Sequence, residues 1–213
     1  MHGPARAVVY GLLGEQNPEL AQSLHDEGWR GHRLKPIGVT SPQFKGAPRK
    51  RGVYTTSSEG SVWFGSPVPE IAAALVAGLA SRTEIVWGAA RLRVRGFTVD
   101  VGAPGDPDGG VVELATATPV VLRHEGRELL PGDEHFVACM EHNLVHKAEV
   151  LGLPAPRGLR VLEAGPRRRF AVRGAPRIGA QVRVAVEADP WFVEAIRSWG
   201  LGLDTVQGFG WIR

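Results

Sequence analysis

On either side of GAPGDPDGG, residues 102–110, the sequence presents one order of signals twice, and that duplication constrains the fold more than any single motif. The stretch mixes Gly, Pro and Asp too densely to pack and reads as a turn or linker. Each flank reads β-α-β-β-α-β, the split-βαβ order of a ferredoxin-like domain, whose sheet can carry RNA. The expected fold class is α+β, with two tandem ferredoxin-like (RRM-like) domains over 1–101 and 111–213.

In the first half ARAVVYGLL is strand-like, and Asn17-Pro18 opens a helix running to about His25, with Asn as N-cap and Pro at the first helical position. Strands are expected near Arg33–Val39 and Ser61–Gly65, then a helix from Pro69 through EIAAALVAGLASR. The last strand, about Glu84 to Val101, alternates Arg91, Arg93 and Arg95 with Leu92 and Val94, so period two sets the arginines on one face. In the second half GVVELATATPVVLR opens as a strand, and HFVACMEHNLVHKAEVLGL has helical spacing at Phe136, Met140, Leu144 and Leu151. A hairpin of strands near Leu159–Ala164 and Arg167–Val172, further extended chain to Val186, a short helix PWFVEAIRSWG and a closing strand GFGWIR complete it.

Between that last helix and strand lie Gly200, Gly202, Gly208 and Gly210 in G-x-G-x5-G-x-G spacing. Gly200 can end the helix, and Gly208 and Gly210 can turn the chain back into the sheet. Bare backbone could also offer N–H groups to an anion. A phosphate-binding P-loop needs strand, loop, then helix, with a lysine, and a dinucleotide fingerprint needs the same order near the start of a βαβ unit. Neither fits. GFGWI resembles the core of the RNP1 motif, but that motif belongs to a third strand and this is the last.

Charge is placed unevenly. The net charge is only +3, yet arginine supplies 21 of the 25 basic residues. Seven arginines from Arg160 to Arg183, among them Arg167, Arg168, Arg169, Arg173 and Arg177, face the single Glu163. Lys45, Arg49, Lys50 and Arg51 stand together without an acid. Arginine binds phosphate in a planar, bidentate way, so both patches suit a nucleic acid. The longest apolar run, Ile71 to Ala80, is far short of the roughly 20 residues that span a bilayer. With no secretory leader and a single cysteine, Cys139, a cytoplasmic protein without a membrane partner is expected.

The glycine-rich loop in this position, the duplicated order, and Leu24-His25 followed by Leu34-Lys35-Pro36 and Ser41 resemble the CRISPR-associated repeat-processing endoribonucleases, the sixth Cas family of the RAMP superfamily. Asn143-Leu144 with Lys147 is similar to the same family. The resemblance implies a metal-independent nuclease, without a cofactor, that binds CRISPR repeat RNA (pre-crRNA and crRNA). It would cleave by attack of the 2′-OH, leaving a 5′-OH and a cyclic phosphate. Other partners would be Cas effector-complex proteins or a second copy in a homodimer. Relatives often carry a basic residue in the five-residue gap of the loop; here the gap is Leu203-Asp204-Thr205-Val206-Gln207. The loop is therefore expected to hold the domains or the basic hairpin in register rather than grip phosphate.

Metal-free cleavage needs a base for the 2′-OH, an acid for the departing 5′-oxygen and a cation for the phosphorane, and histidine suits the first two tasks. By its match to the family motif, His25 is the candidate. Arg30, His32, Arg33 and Lys35 lie within ten residues and could each stabilise phosphate, with Lys35 and Arg30 taken into the catalytic set, while Tyr10 or Tyr54 could assist. RNA is expected along Arg33, the 45–51 patch, Arg91, Arg93, Arg95 and the 160–183 arginines. Cys139, His142 and His146 share a helix face, but the rest of a zinc site is missing, so no metal is expected. Phe136, Trp191, Phe192 and Trp199 read as core and Trp29 as a base-stacking candidate. Two alternatives are an RNA-binding RAMP subunit without nuclease activity, and a ferredoxin-like domain for a metabolite or partner protein.

Overall fold

The computed structural model describes residues 2–47, 56–102, 110–172 and 176–213. The second half builds one antiparallel sheet. Strand β7 (Gly110–Ala115) pairs with β13 (Val182–Ala188), and β13 pairs with β10 (Gly158–Ala164). The closing segment lies along the other side of β7, through a bridge between Thr116 and Ile212 and the bond Arg213 N–H to Ala115 O. The spatial order, closing segment–β7–β13–β10, is that of a ferredoxin-like sheet read from the sequence order β7, helix α4 (Phe136–Leu151), β10, β13, helix α5 (Pro190–Trp199), closing segment. Alternate β13 residues Val182, Val184, Val186 and Ala188 enter one core with Phe136, Met140 and Leu144 of α4 and Phe192 and Ile196 of α5. Period two thus puts both helices on one sheet face. Pro190 and the Asp189 side chain, which accepts from Trp191 N–H at 2.8 Å, start α5; Gly152 at φ 66° ends α4.

The first half is built mainly from helices. Residues 5–13 form part of α1 (His2–Gln16), not a strand. The reason is legible in the spacing: Ala5, Val8, Val9, Leu12 and Leu13, all buried, follow i, i+3, i+4, i+7, i+8 and make one helical face. Helix α2 (Pro18–Asp26) begins as read, with Asn17 Oδ1 accepting from Leu20 N–H at 3.0 Å. Strands β1 (Gly38–Val39) and β4 (Phe64–Gly65) pair, as do β2 (Gln43–Phe44) and β3 (Gly60–Ser61). Helix α3 (Pro69–Ala80) packs on α1 so closely that a Cβ on Gly78 would lie 2.6 Å from Leu12 O. The long strand expected after it is instead a hairpin, β5 (Glu84–Trp87) with β6 (Ala90–Arg93), because Gly88 takes φ 66° and reverses the chain. Ile37, Val39, Ile71, Leu75, Ile85 and Trp87 join α1 and α2 in a separate core belonging to this half.

Three further sequence expectations change. The opening strand of the second half breaks at Thr118-Pro119, where proline offers no N–H, and resumes as β8 (Leu122–His124) paired with β9 (Arg127–Leu129). The expected hairpin between 159–164 and 167–172 does not pair with itself. β10 runs on into β11 (Arg168–Phe170), which pairs with β12 (Arg177–Gly179), so the two arms of one ribbon are 158–170 and 177–188. Trp191 is 61% exposed, because the buried face of α5 runs through Phe192, Val193, Ala195, Ile196 and Trp199. Among the described residues no helix is long and apolar enough to cross a membrane.

Candidate active site and nucleic-acid surface

Three side chains singled out in the sequence meet where α2 ends. Lys35, just past the turn at 29–32, folds back so that its Nζ donates to Leu24 O at 2.5 Å and His25 O at 2.6 Å, carbonyls left unpaired by the helix end. Tyr10, on α1, donates its hydroxyl to the same Leu24 O at 3.3 Å. The Tyr10 ring stands edge-on to the His25 ring, 5.3 Å between centroids, with Lys35 Nζ 5.7 Å from the Tyr10 centroid. Burial pushes the Tyr10 hydroxyl up to about 12, so it remains a neutral donor. Burial, then the charge of Arg6, lowers the Lys35 ammonium. Sequence reasoning does not single out Arg6, although its i, i+4 spacing to Tyr10 is visible there; its guanidinium lies 5.5 Å from the Tyr10 centroid.

His25 itself is exposed, its side chain 53% accessible, with Nδ1 2.9 Å from Asp26 Oδ1. Of the other catalytic candidates, Arg30 turns away: in the turn closed by His32 N–H to Trp29 O it takes φ 50° and lays its guanidinium 5.3 Å from the Trp29 ring. Trp29 in turn packs on the core of the first half, which limits it as a free stacking platform. Tyr54 lies outside the described residues.

The basic residues divide by whether an acid answers them. Arg91 pairs with Glu84 at 2.8 Å and Arg95 with Glu59 at 2.9 Å. Only Arg91 and Arg93 belong to β6; Arg95 lies past its end, so the three do not form one strand face. On the outer face of the second-half sheet Arg183 pairs with Glu163 and lies 3.8 Å from Glu113. Arg167, Arg168 and Arg169 differ: all three are exposed, and among the described residues no acid lies within ion-pair distance. Arg33, Lys45 and Arg93 are likewise without such a partner there. Arg49, Lys50, Arg51 and Arg173 lie outside the described residues.

The glycine loop binds to the rest of the protein by its backbone. All four glycines have positive φ. The two G-x-G arms touch, Leu201 N–H donating to Gly210 O at 2.8 Å, and a Cβ on Gly210 would fall 1.8 Å from Leu201 O. Leu201, Leu203, Gln207, Gly208 and Gly210 all spend their N–H groups inside the protein, which leaves little for an anion. Instead the gap reaches the first half: Thr205 Oγ1 donates to Ile37 O at 2.7 Å, and Val206 belongs to the first-half core. His2 Nδ1 lies 2.9 Å from Gln207 O and its ring stacks on Phe209 at 4.1 Å, while Phe170 of the basic ribbon packs edge-on against both. Burial lowers His2 to about 4, so it is neutral there.

Charge in the gap comes from elsewhere. Asp204 accepts from Arg177 Nε at 2.6 Å and Arg123 Nη2 at 3.2 Å, which makes Arg177 a tie to the loop. Lys147, fully buried and lowered by burial to about 7, donates to Gly200 O at 2.5 Å and lies 4.8 Å from the Trp199 ring centroid. Cys139 packs against the second-half core, and His146 faces His32 and Glu149. Among the described residues no three His, Cys, Asp or Glu side chains converge to hold a metal.

No protein-family model and no curated protein matches the chain. Solved structures do. A protein from a Cas6-related gene of Pyrococcus furiosus aligns over 100% of this chain and 89% of its own, with TM-score 0.79 at 17% identity. A RAMP protein described as binding different RNA substrates gives TM-score 0.80 at 17% identity, over 100% of this chain and 90% of its own. A Cas6 protein in a product complex gives TM-score 0.63 at 22% identity, over 99% and 91%. The chain has the mixed helix-and-sheet fold of Cas6 and RAMP proteins along its whole length.

Proposed function

We propose that this chain is a CRISPR repeat RNA endoribonuclease of the Cas6 type. The observation that carries the reading is the meeting of His25, Tyr10 and Lys35 at the end of α2, beside Arg6, in a fold shared with Cas6 proteins, one of them bound to product. In this reading His25 takes the proton of a 2′-OH; O2′ attacks the adjacent phosphorus; the P–O5′ bond breaks; and the departing oxygen takes a proton from solvent, to which His25 returns the one it accepted. The products are a 2′,3′-cyclic phosphate and a 5′-OH. Lys35 has used two of its three N–H donors on carbonyls and keeps one for the phosphate, while Tyr10, its one O–H donated to Leu24 O, packs its ring beside His25. No metal takes part in these steps.

The RNA follows the unpaired cations: from Arg33 at the site to Arg167, Arg168 and Arg169 on the ribbon. Arg91 and Arg95, already answered by Glu84 and Glu59, contribute less. The chain divides into two units on either side of residues 103–109, which lie outside the described residues, and the glycine loop fixes their register so that ribbon and site read one RNA.

The test is cleavage of end-labelled repeat RNA from the source genome in excess EDTA, with His25→Ala and a 2′-deoxy substitution at the cut as controls. A single cut surviving EDTA and lost in both controls is expected. The likeness to an RNA-binding RAMP protein favours one other reading, a non-catalytic RNA-binding subunit; tight binding with intact RNA would select it.

A further inference from the structure

We propose that Asp26 is a positioning residue of this site: it holds the imidazole of His25 in the tautomer with the proton on Nδ1, leaving the Nε2 lone pair for the 2′-OH. The proposal rests on the nuclease reading above.

A carboxylate only accepts, so the 2.9 Å contact between His25 Nδ1 and Asp26 Oδ1 requires the proton on Nδ1. Imidazole left to itself favours the other tautomer, which would offer the wrong nitrogen. The carboxylate is steadied in turn, because Gln22, one helical turn earlier, donates from Nε2 to Asp26 Oδ2. The Tyr10 ring also packs against the imidazole, 5.3 Å between centroids at an interplanar angle of 73°. Hydrogen bonds from His25 first and Gln22 second hold the Asp26 carboxyl below its usual range, which keeps it an acceptor.

The i, i+4 bond from Gln22 and the nearby charge of Lys35 give this aspartate only a small local benefit. Asp26 is the last residue of α2, where the helix dipole disfavours an anion. Its pair with His25 is exposed, and exposed pairs add little to folding. An acid placed against the helix dipole, turned onto the histidine and braced by a glutamine, fits orientation of that histidine better than support of the fold.

The test uses the full chain. Long-range ¹H–¹⁵N NMR of the free protein reports which imidazole nitrogen carries the proton, with the His25 signal identified by its loss in His25→Ala. The expected result is the Nδ1–H tautomer in the natural chain, a shift of the population to Nε2–H in Asp26→Ala, and retention in Asp26→Asn, whose amide oxygen still accepts. Single-turnover cleavage in Asp26→Ala should fall by about 10- to 100-fold with RNA affinity unchanged, and Asp26→Asn should recover part of the rate. Thermal unfolding should show Asp26→Ala at least as stable as the natural chain. An Nε2–H tautomer in the natural chain, a tautomer indifferent to Asp26→Ala, or undiminished cleavage in that variant would each overturn the proposal. If the natural chain leaves repeat RNA intact while the tautomer still depends on Asp26, the nuclease reading falls and the pairing stands.

Discussion

In the second half of the chain, strands β10, β13 and β7 and the closing segment form one sheet under two helices, beside the pairs β8–β9 and β11–β12; in the first half all the described strands come in separate pairs over a helical core. The proposed chemistry lies in the less regular half. His25 sits at the end of α2 and Lys35 past the turn that follows, where carbonyls without helical partners organise the lysine, and Tyr10 reaches them from the middle of α1. What the second half contributes is leverage: it projects the glycine loop into the first-half core through Val206 and Thr205, and it carries the ribbon arginines that no acid pairs among the described residues. On the reading proposed above, one half reacts and the other aligns and binds.

Four perturbations test that division. His25→Ala should lower single-turnover cleavage by ~10²- to 10⁴-fold, with RNA affinity and melting temperature nearly unchanged because the side chain is exposed; a comparable loss of binding would mean that the two roles are not divided this way. Gly210→Ala should cost roughly 2–4 kcal/mol in urea unfolding, since its methyl would enter Leu201 O at a positive φ, and it should impair both halves at once. Reversing Arg168 and Arg169 to glutamate should weaken RNA binding and flatten the salt dependence of log K by ~1.4, about 0.7 for each phosphate no longer neutralised, while cleavage at saturating RNA persists.

The smallest effect concerns His2. Its folded pKa of about 4 lies below the ordinary 6.5, so the unfolded chain binds more protons between those values. Stability should therefore be full above pH 6.5 and decline as pH falls towards 4. His2→Phe, which keeps a ring on Phe209 without a titrating group, should flatten that decline in a series of urea titrations.

The helix starts are legible because they depend on neighbours in sequence: Asn17-Pro18 and Asp189-Pro190 cap α2 and α5 through their own next residues. The α1 segment passes for a strand although its helical period is present, because a short apolar run satisfies strand and helix alike until its i, i+3, i+4 spacing is counted. His25 and Lys35 can be named from their motif, but not the use of Lys35 as a cap for the histidine's own helix, nor the arrival of Arg6 and Tyr10 from α1.

Sequence by itself determined the charge inventory, the glycine spacing, the helix caps and the ferredoxin-like order of the second half, since each rests on local chemistry or chain order. Tertiary structure decided which arginines pair with acids among the described residues, which carbonyls the glycine loop meets and which side chains surround His25. Those depend on contacts between residues as far apart as Ile37 and Thr205, which no local pattern encodes.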